Sequence, residues 1–212
     1  MRRGKLGDVY AMHLPNGIKI IQWAYTIPKY GHYVRVFDGL YETVPENINQ
    51  IVHGDHSYII AFSANVAYRI GLVEFLENIS VPEKYPRPMY SLEFHCYGRL
   101  YEFDVTIVEF FDPTSKKCTE RYTFENLTSI DQLPDRFRNV KTVAGFCSAS
   151  LIMYLFDYNF TLERPRYLWP YKILGEKADE ILNGYQERID RLREADKARR
   201  SANKKQFKTA SS

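Results

Sequence analysis

The chain has 212 residues, and its 29 Lys or Arg against 26 Asp or Glu give a formal net charge of +3. Residues 176–212 hold ten basic and seven acidic side chains, so residues 1–175 hold 19 of each and are formally neutral. A neutral body argues against a dedicated nucleic-acid-binding protein, whose affinity depends on neutralising phosphates. The sequence also lacks the run of about 20 apolar residues that a membrane span needs, so no membrane partner is expected.

The cysteines and the first residues indicate a cytoplasmic protein. The sequence has three cysteines, Cys96, Cys118 and Cys147. An odd count without a Cys-x-x-Cys pair argues against a disulfide framework and a zinc site. We therefore expect reduced thiols. Residues 1–5 are charged like the start of a signal peptide, but no long apolar run follows them. We expect the protein to stay in the cytoplasm.

The first part of the chain predicts a three-stranded antiparallel meander. Residues 7–14, 18–25 and 32–37 are rich in β-branched and aromatic residues, and turn residues separate them. Asn16 and Gly17 are the strongest turn signal, because both tolerate the positive φ of a tight hairpin. Such a meander suits the start of a small sheet or barrel.

Short helical and extended segments follow the meander. Residues 45–52 predict a helix, because Pro45 suits the first helical position and the apolar residues after it share one face. Residues 58–62 are apolar enough for a strand buried on both faces. Residues 63–73 fit either a strand or a helical turn, and residues 72–76 predict another strand.

The second half restarts after a Pro-rich stretch. Three prolines within residues 81–89 predict a linker, because each removes a backbone donor and restricts its predecessor. Residues 91–97 and 100–110 then predict a hairpin, and residues 119–124 predict a return strand. Within the hairpin, residues alternate between one buried and one exposed side, with Val108 on the exposed side.

Helices are expected towards the C-terminus. Residues 131–136 predict a helical turn, residues 140–143 fit strand or loop, and residues 145–158 predict a buried helix because they are largely apolar all round. A longer helix starts near Gly175, with an apolar seam at heptad-like spacing: Ala178, Leu182, Tyr185, Ile189 and Leu192. Residues 197–208 carry six basic and no acidic side chains and predict a frayed, solubilising tail.

Together these elements predict an α+β chain. Its mainly antiparallel strands are expected to form a strongly bent sheet or small barrel, with a few helices and a long C-terminal helix. We divide the chain into a β-rich region at 1–80, a linker at 81–89, and a second α+β region at 90–175 packed on the first. The remaining segment, 176–212, holds the C-terminal helix and the basic tail.

No motif in the sequence predicts catalysis. His53 and His56, with Asp55 between them, are metal-ligand residue types, but they indicate a polar turn and no third ligand follows at a known spacing. Cys147 precedes a predicted helix whose N-terminus can activate a thiol, with His56 or His95 as base; a small buried Cys explains it more simply. We predict no catalytic residue, no metal, no cofactor and no enzymatic activity.

Several motifs resemble the immunity protein 26 family. They are residues 5–12 (Lys-Leu-Gly-Asp-Val-Tyr-Ala-Met), the turn at Gly17, residues 33–38 (Tyr-Val-Arg-Val-Phe-Asp), residues 71–74 (Gly-Leu-Val-Glu) and the prolines up to Pro88. Members of this family are encoded in bacterial polymorphic toxin loci. The resemblance implies a cytoplasmic antitoxin that neutralises a cognate toxin by binding it, and it brings no catalytic residues.

The resemblance covers about residues 5–125 and leaves the C-terminal helix and tail unmatched. Many immunity proteins are acidic and bind basic nuclease toxins, so a neutral body argues against a strongly basic partner. Aromatic and arginine residues often dominate binding energy. We therefore nominate residues near the turns of the meander as the partner-binding site: Tyr30, Tyr33, Arg35 and Tyr41.

Three alternatives stay open at this stage. The chain fits a small-barrel module that binds nucleic acid or the ribosome through its basic tail, although nucleic acid is not the partner we expect. Cys147 fits a hydrolase nucleophile. The apolar seam of the C-terminal helix suits a homodimer as well as docking on the protein's own core.

Overall fold

The computed structural model describes residues 4–27, 31–95, 103–109, 121–127, 132–143, 153, 156–157 and 178–210. Within these ranges, the side chains of residues 94–95, 103, 178–179 and 204–210 are outside the description.

The described strands form one open sheet. In chain order they are β1 (Asp8–Leu14), β2 (Gly17–Ile27), β3 (Gly31–Val36), β4 (Tyr58–Ala61), β5 (Val73–Asn78), β6 (Tyr90–His95), β7 (Phe103–Glu109), β8 (Arg121–Leu127) and β9 (Thr142–Val143). Their order across the sheet is β5-β1-β2-β3-β4-β9-β6-β7-β8. All neighbours are antiparallel except β9, which lies parallel between β4 and β6. The α+β class and the mainly antiparallel sheet are confirmed, and the strands do not close into a barrel.

The predicted meander of β1, β2 and β3 is confirmed. Leu14 pairs with Gly17 across the turn, and the two strands continue in register up to Val9 and Gln22. Gly17 has a φ of +149°, and a Cβ there would lie 3.0 Å from the carbonyl oxygen of Tyr41. The tight turn therefore requires glycine at this position.

Short β9 joins the strands of the two halves into a single sheet. Ile59 of β4 lies opposite Thr142, and Leu92 of β6 lies opposite Val143. Strands from residues 1–80 and from residues 90–175 thus share backbone pairing through two residues of β9.

Four helices can be assigned among the described residues: α1 (Ile48–His53), α2 (Ala64–Ile70), α3 (Asp135–Arg138) and α4 (Ala178–Ala210). The segment that fitted either strand or helix is α2, and it ends at Gly71, whose φ is +80°. The helix predicted at residues 145–158 lies mostly outside the described residues. Met153, Phe156 and Asp157 are helical and buried.

The sheet carries apolar residues on both faces. The main core contains Val105 and Ile107 of β7, together with residues of α2 and α4. On the opposite face, Val108 is fully buried beside Ala24 and Ile59. The expectation that Val108 faces solvent is therefore wrong, because both sides of the sheet are covered at this point.

Helix α4 docks on the main core through its apolar seam. Tyr185 and Ile189 are buried, and Leu182 and Leu192 pack beside them. The Tyr185 hydroxyl donates a hydrogen bond to the buried carboxylate of Asp157. The seam thus contacts the body of its own chain, which is one of the two uses that the sequence allowed.

The frayed tail expected from residue 197 onward is instead helical, since α4 continues to Ala210. Lysine, arginine, alanine and glutamine make up most of this stretch, and all of them have high helix propensity. Net charge alone indicated a frayed tail, whereas the helix propensity of these residues favours the helix that is observed.

Candidate functional site

The nominated Arg35 lies in the interior of the protein rather than on its surface. Arg35 belongs to β3, and its side chain is 0% exposed. Its Nη1 donates to Gln22 Oε1 at 2.9 Å and to Val52 O at 3.0 Å, and its Nη2 donates to Gly54 O at 3.1 Å. Its Nε donates to His56 Nδ1 at 3.3 Å. Four neutral acceptors therefore hold this buried guanidinium.

Tyr85, from the Pro-rich segment, covers Arg35. The guanidinium carbon of Arg35 lies 4.2 Å from the centre of the Tyr85 ring and 4.8 Å from that of Phe37. The Tyr85 hydroxyl lies 2.8 Å from Gly54 O and 2.5 Å from Asp55 Oδ1. The segment predicted as a linker is thus docked against the first half of the sheet at this residue. Cation–π contact with two rings compensates part of the lost hydration of the cation.

Burial, and after it the positive charge of Arg35, keeps the neighbouring His56 neutral. Burial, together with the nearby positive charges of Arg35 and Lys141, lowers the pKa of His56 to about 4. A neutral imidazole can accept the hydrogen bond from Arg35 Nε, whereas a protonated one cannot. Burial likewise lowers the pKa of Arg35 from its ordinary value. The cluster is therefore a structural support that depends on an unprotonated His56.

The other nominated residues are not grouped on one exposed surface. Tyr33 is only 1% exposed and packs in an apolar cluster with Tyr25 and Ile59. Tyr41 is partly exposed, and its hydroxyl donates to Asp38 O at 3.3 Å. Tyr30 lies outside the described residues. The structure therefore does not bring these residues together as an accessible site.

The histidines considered as metal ligands make other contacts. His53 lies on α1 with its Nδ1 2.8 Å from Asn49 O, and His56 Nδ1 accepts from Arg35. Among the described residues, no group of three or more His, Cys, Asp or Glu side chains is placed to hold a metal ion. Cys147 is outside the described residues, and so is the side chain of His95.

An aromatic cluster lies at the other end of the sheet, around buried Phe137 of α3. The ring centres of Tyr90 and Tyr122 are each 5.4 Å from that of Phe137, and Phe124 is 6.0 Å away. The Arg136 guanidinium carbon lies 4.9 Å from the Tyr122 ring centre and 4.5 Å from that of Phe137. Strands β6 and β8 and helix α3 thus place four rings and one cation together.

This cluster reaches the surface. Tyr90, Tyr122 and Phe124 are partly exposed, and Arg136 is exposed. Met89, which directly precedes β6, is 59% exposed and is one of the large apolar side chains most open to solvent. We call Tyr90, Tyr122, Phe124 and Arg136, together with Met89 as the chain neighbour of Tyr90, the aromatic patch. The sequence alone did not predict this patch, because its members come from three separate segments. Met89 and Tyr90 precede Tyr122 by about 30 residues, and Arg136 follows Phe124 by about a dozen.

No family model matches this sequence, and comparisons with curated proteins and with solved structures found no similar protein. The resemblance to the immunity protein 26 family thus stays a prediction. Among the described helices, none is both long enough and apolar enough to cross a membrane.

Proposed function

We propose that this protein is an immunity protein, which acts in the cytoplasm by binding a cognate bacterial toxin and neutralising it without enzymatic chemistry. The observation that carries the proposal is the aromatic patch. The motifs within residues 5–125 that resemble the immunity protein 26 family add to it.

The composition of the aromatic patch is that of the centre of a protein–protein interface. Tyrosine, arginine and methionine are enriched there, and single buried aromatic or arginine anchors carry most of the binding energy. Tyr122 and Phe124 pack against the core on one side and keep the other side partly exposed. Rings held in this way lose little conformational entropy when a partner covers them.

The resembling motifs also have a clear structural role. Gly7 has a φ of +88°, and the Asp8 carboxylate accepts hydrogen bonds from Lys5 N at 2.9 Å and Asn78 Nδ2 at 2.8 Å. These contacts fix the start of β1 to the end of β5. Motif residues that stabilise the fold agree with a family that binds its partner and performs no reaction.

Isolating the partner is the first test. Tagged protein is purified from cells that carry its neighbouring genes, at high salt and after nuclease treatment, and retained proteins are identified by mass spectrometry. We expect one toxin to be retained. We also expect that expression of this toxin arrests growth only when the immunity protein is absent.

Exposed residues of the aromatic patch permit a controlled mutation. Met89→Ser with Arg136→Ala removes one apolar and one cationic side chain without opening the core. The matched control is Leu6→Ser with Arg193→Ala, which changes similarly exposed residues elsewhere. A hot spot is worth about 2 kcal/mol, or roughly 30-fold in affinity. Equal affinity and equal protection for both double variants would contradict the proposed site.

A further inference from the structure

The end of α4 carries an unusual concentration of positive charge. Residues 197–210 hold six of the 29 basic side chains and none of the 26 acidic ones, so the rest of the chain has 23 basic and 26 acidic residues and a net charge of −3. We call residues 197–210 the basic helix end. Favourable interaction with the helix dipole accounts for cations in the last turn, but these residues extend over about four turns at 3.6 residues per turn.

An arginine cluster connects the basic helix end to the body of the protein. The buried carboxylate of Asp196 lies 3.4 Å from Arg69 Nε on α2, 2.8 Å from Arg199 Nη2 and 3.0 Å from Arg200 Nε. The Arg199 Nη2 also donates to Arg69 O at 3.0 Å. One carboxylate against three guanidinium groups leaves a net charge of +2 within this arginine cluster.

The arginine side chains keep much of their surface open. Arg199 and Arg200 are 53% and 50% exposed at the side chain, although both contact Asp196. The hydrogen bond from Arg199, together with the positive charges of Arg200 and Arg69, lowers the pKa of the Asp196 carboxyl, and the ionised carboxylate holds both guanidinium groups in place. Such preorganised guanidinium groups match the planar, bidentate geometry that phosphate oxygens offer.

We propose that the arginine cluster and the basic helix end bind the phosphate backbone of a double-stranded nucleic acid. An α-helix fits the major groove of B-form DNA. The exposed residues after the arginines, Ser201, Ala202 and Asn203, are small and do not block a close approach. They also offer little apolar surface, which favours a polyanion over the core of a protein interface. This inference is independent of the aromatic patch and of toxin binding.

Fluorescence anisotropy of the full chain with labelled duplexes tests the proposal. DNA and RNA duplexes of the same length are titrated separately, which identifies the preferred source of the phosphates. If about four phosphates are neutralised, raising salt from about 50 mM to about 200 mM should weaken binding about 100-fold. Polyglutamate serves as a polyanion without phosphate.

Two double variants test the location of the site. Lys197→Gln with Arg200→Gln should reduce the same salt effect to about 10-fold, because two fewer counterions are released. The matched control, Lys5→Gln with Lys141→Gln, removes two exposed charges outside α2 and α4 and should leave the salt effect unchanged. Circular dichroism checks that both variants keep their helix content.

Three outcomes would overturn the proposal: no binding at low salt, equal weakening by both double variants, or polyglutamate competing as strongly as an unlabelled duplex. The last outcome would identify a general site for acidic proteins. Toxin retention at high salt is measured separately, so a failure here leaves the proposed function untouched.

Discussion

Replacing Arg35 by Met should strongly destabilise the protein. The change removes the donors to Gln22 Oε1, Val52 O, Gly54 O and His56 Nδ1, and keeps apolar volume between the two flanking rings. Gly54 O retains the Tyr85 hydroxyl as a partner, so three acceptors lose this donor. At about 1–3 kcal/mol for each buried group left unpaired, and with some relaxation, we expect a loss of about 4 kcal/mol.

Urea denaturation followed by circular dichroism measures this loss. For a chain of this size, about 4 kcal/mol corresponds to a fall in Tm of roughly 10 °C. Arg35→Lys should lose nearly as much, because an ammonium group cannot reach all of the acceptors. Arg193→Met, at an exposed ion pair, should change the free energy of unfolding by less than about 0.5 kcal/mol. A loss below about 1 kcal/mol for Arg35→Met, with an unchanged m-value, would refute the reasoning.

Three further predictions concern the same fold. The pKa of His56 is lowered to about 4 in the folded protein, so on acidification the unfolded state takes up the His56 proton first. The free energy of unfolding should therefore fall by up to about 3 kcal/mol as pH drops from 6.5 towards 4. Urea titrations at each pH should show that His56→Gln flattens this loss. Gly7→Ala should lower the free energy of unfolding by more than about 2 kcal/mol, because φ is +88° and the new Cβ would lie 2.7 Å from Ile79 O. Gly184→Ala, at a helix position with open space around it, should raise the free energy of unfolding by roughly 0.5–1 kcal/mol. Similar melting temperatures for the two variants would contradict this prediction. Tyr85→Ala should make the Pro-rich segment cleavable by protease while Tyr85→Phe, which keeps the ring over Arg35, should protect it; equal cleavage would contradict the docking of that segment.

Local sequence signals were sufficient for the meander. Asn16 and Gly17 mark the turn, where Gly17 has a positive φ, and the β-branched runs on either side pair in register from Leu14 and Gly17 onward. The helical seam from Leu182 to Leu192 was equally clear, because its spacing repeats over several turns. Each of these signals lies within one short window of the chain.

The burial of Arg35 could not be predicted from local pattern. Alternation along β3 places Tyr33 and Arg35 on the face opposite Val34, and a charged residue on such a face normally meets solvent. The structure covers this face with Tyr85, which lies 50 residues further along the chain. Only the long-range docking of the Pro-rich segment turns an apparent surface residue into a buried one.

The aromatic patch was hidden for a similar reason. Tyr90 and Tyr122 belong to strands on opposite sides of β7, and Arg136 belongs to a separate helix. The sequence contains 17 tyrosines, and nothing local distinguishes the two that meet Phe137. Pairing across the sheet is what selects them.

The affinity of the isolated partner for the two exposed double variants tests the central claim most directly. If the aromatic patch binds a toxin, Met89→Ser with Arg136→Ala should weaken binding at high salt by about 30-fold or more and abolish protection of growth. Leu6→Ser with Arg193→Ala should bind and protect like the wild type. Unchanged affinity for the first variant, or the same loss for both, would contradict the assignment of this surface as the toxin-binding site.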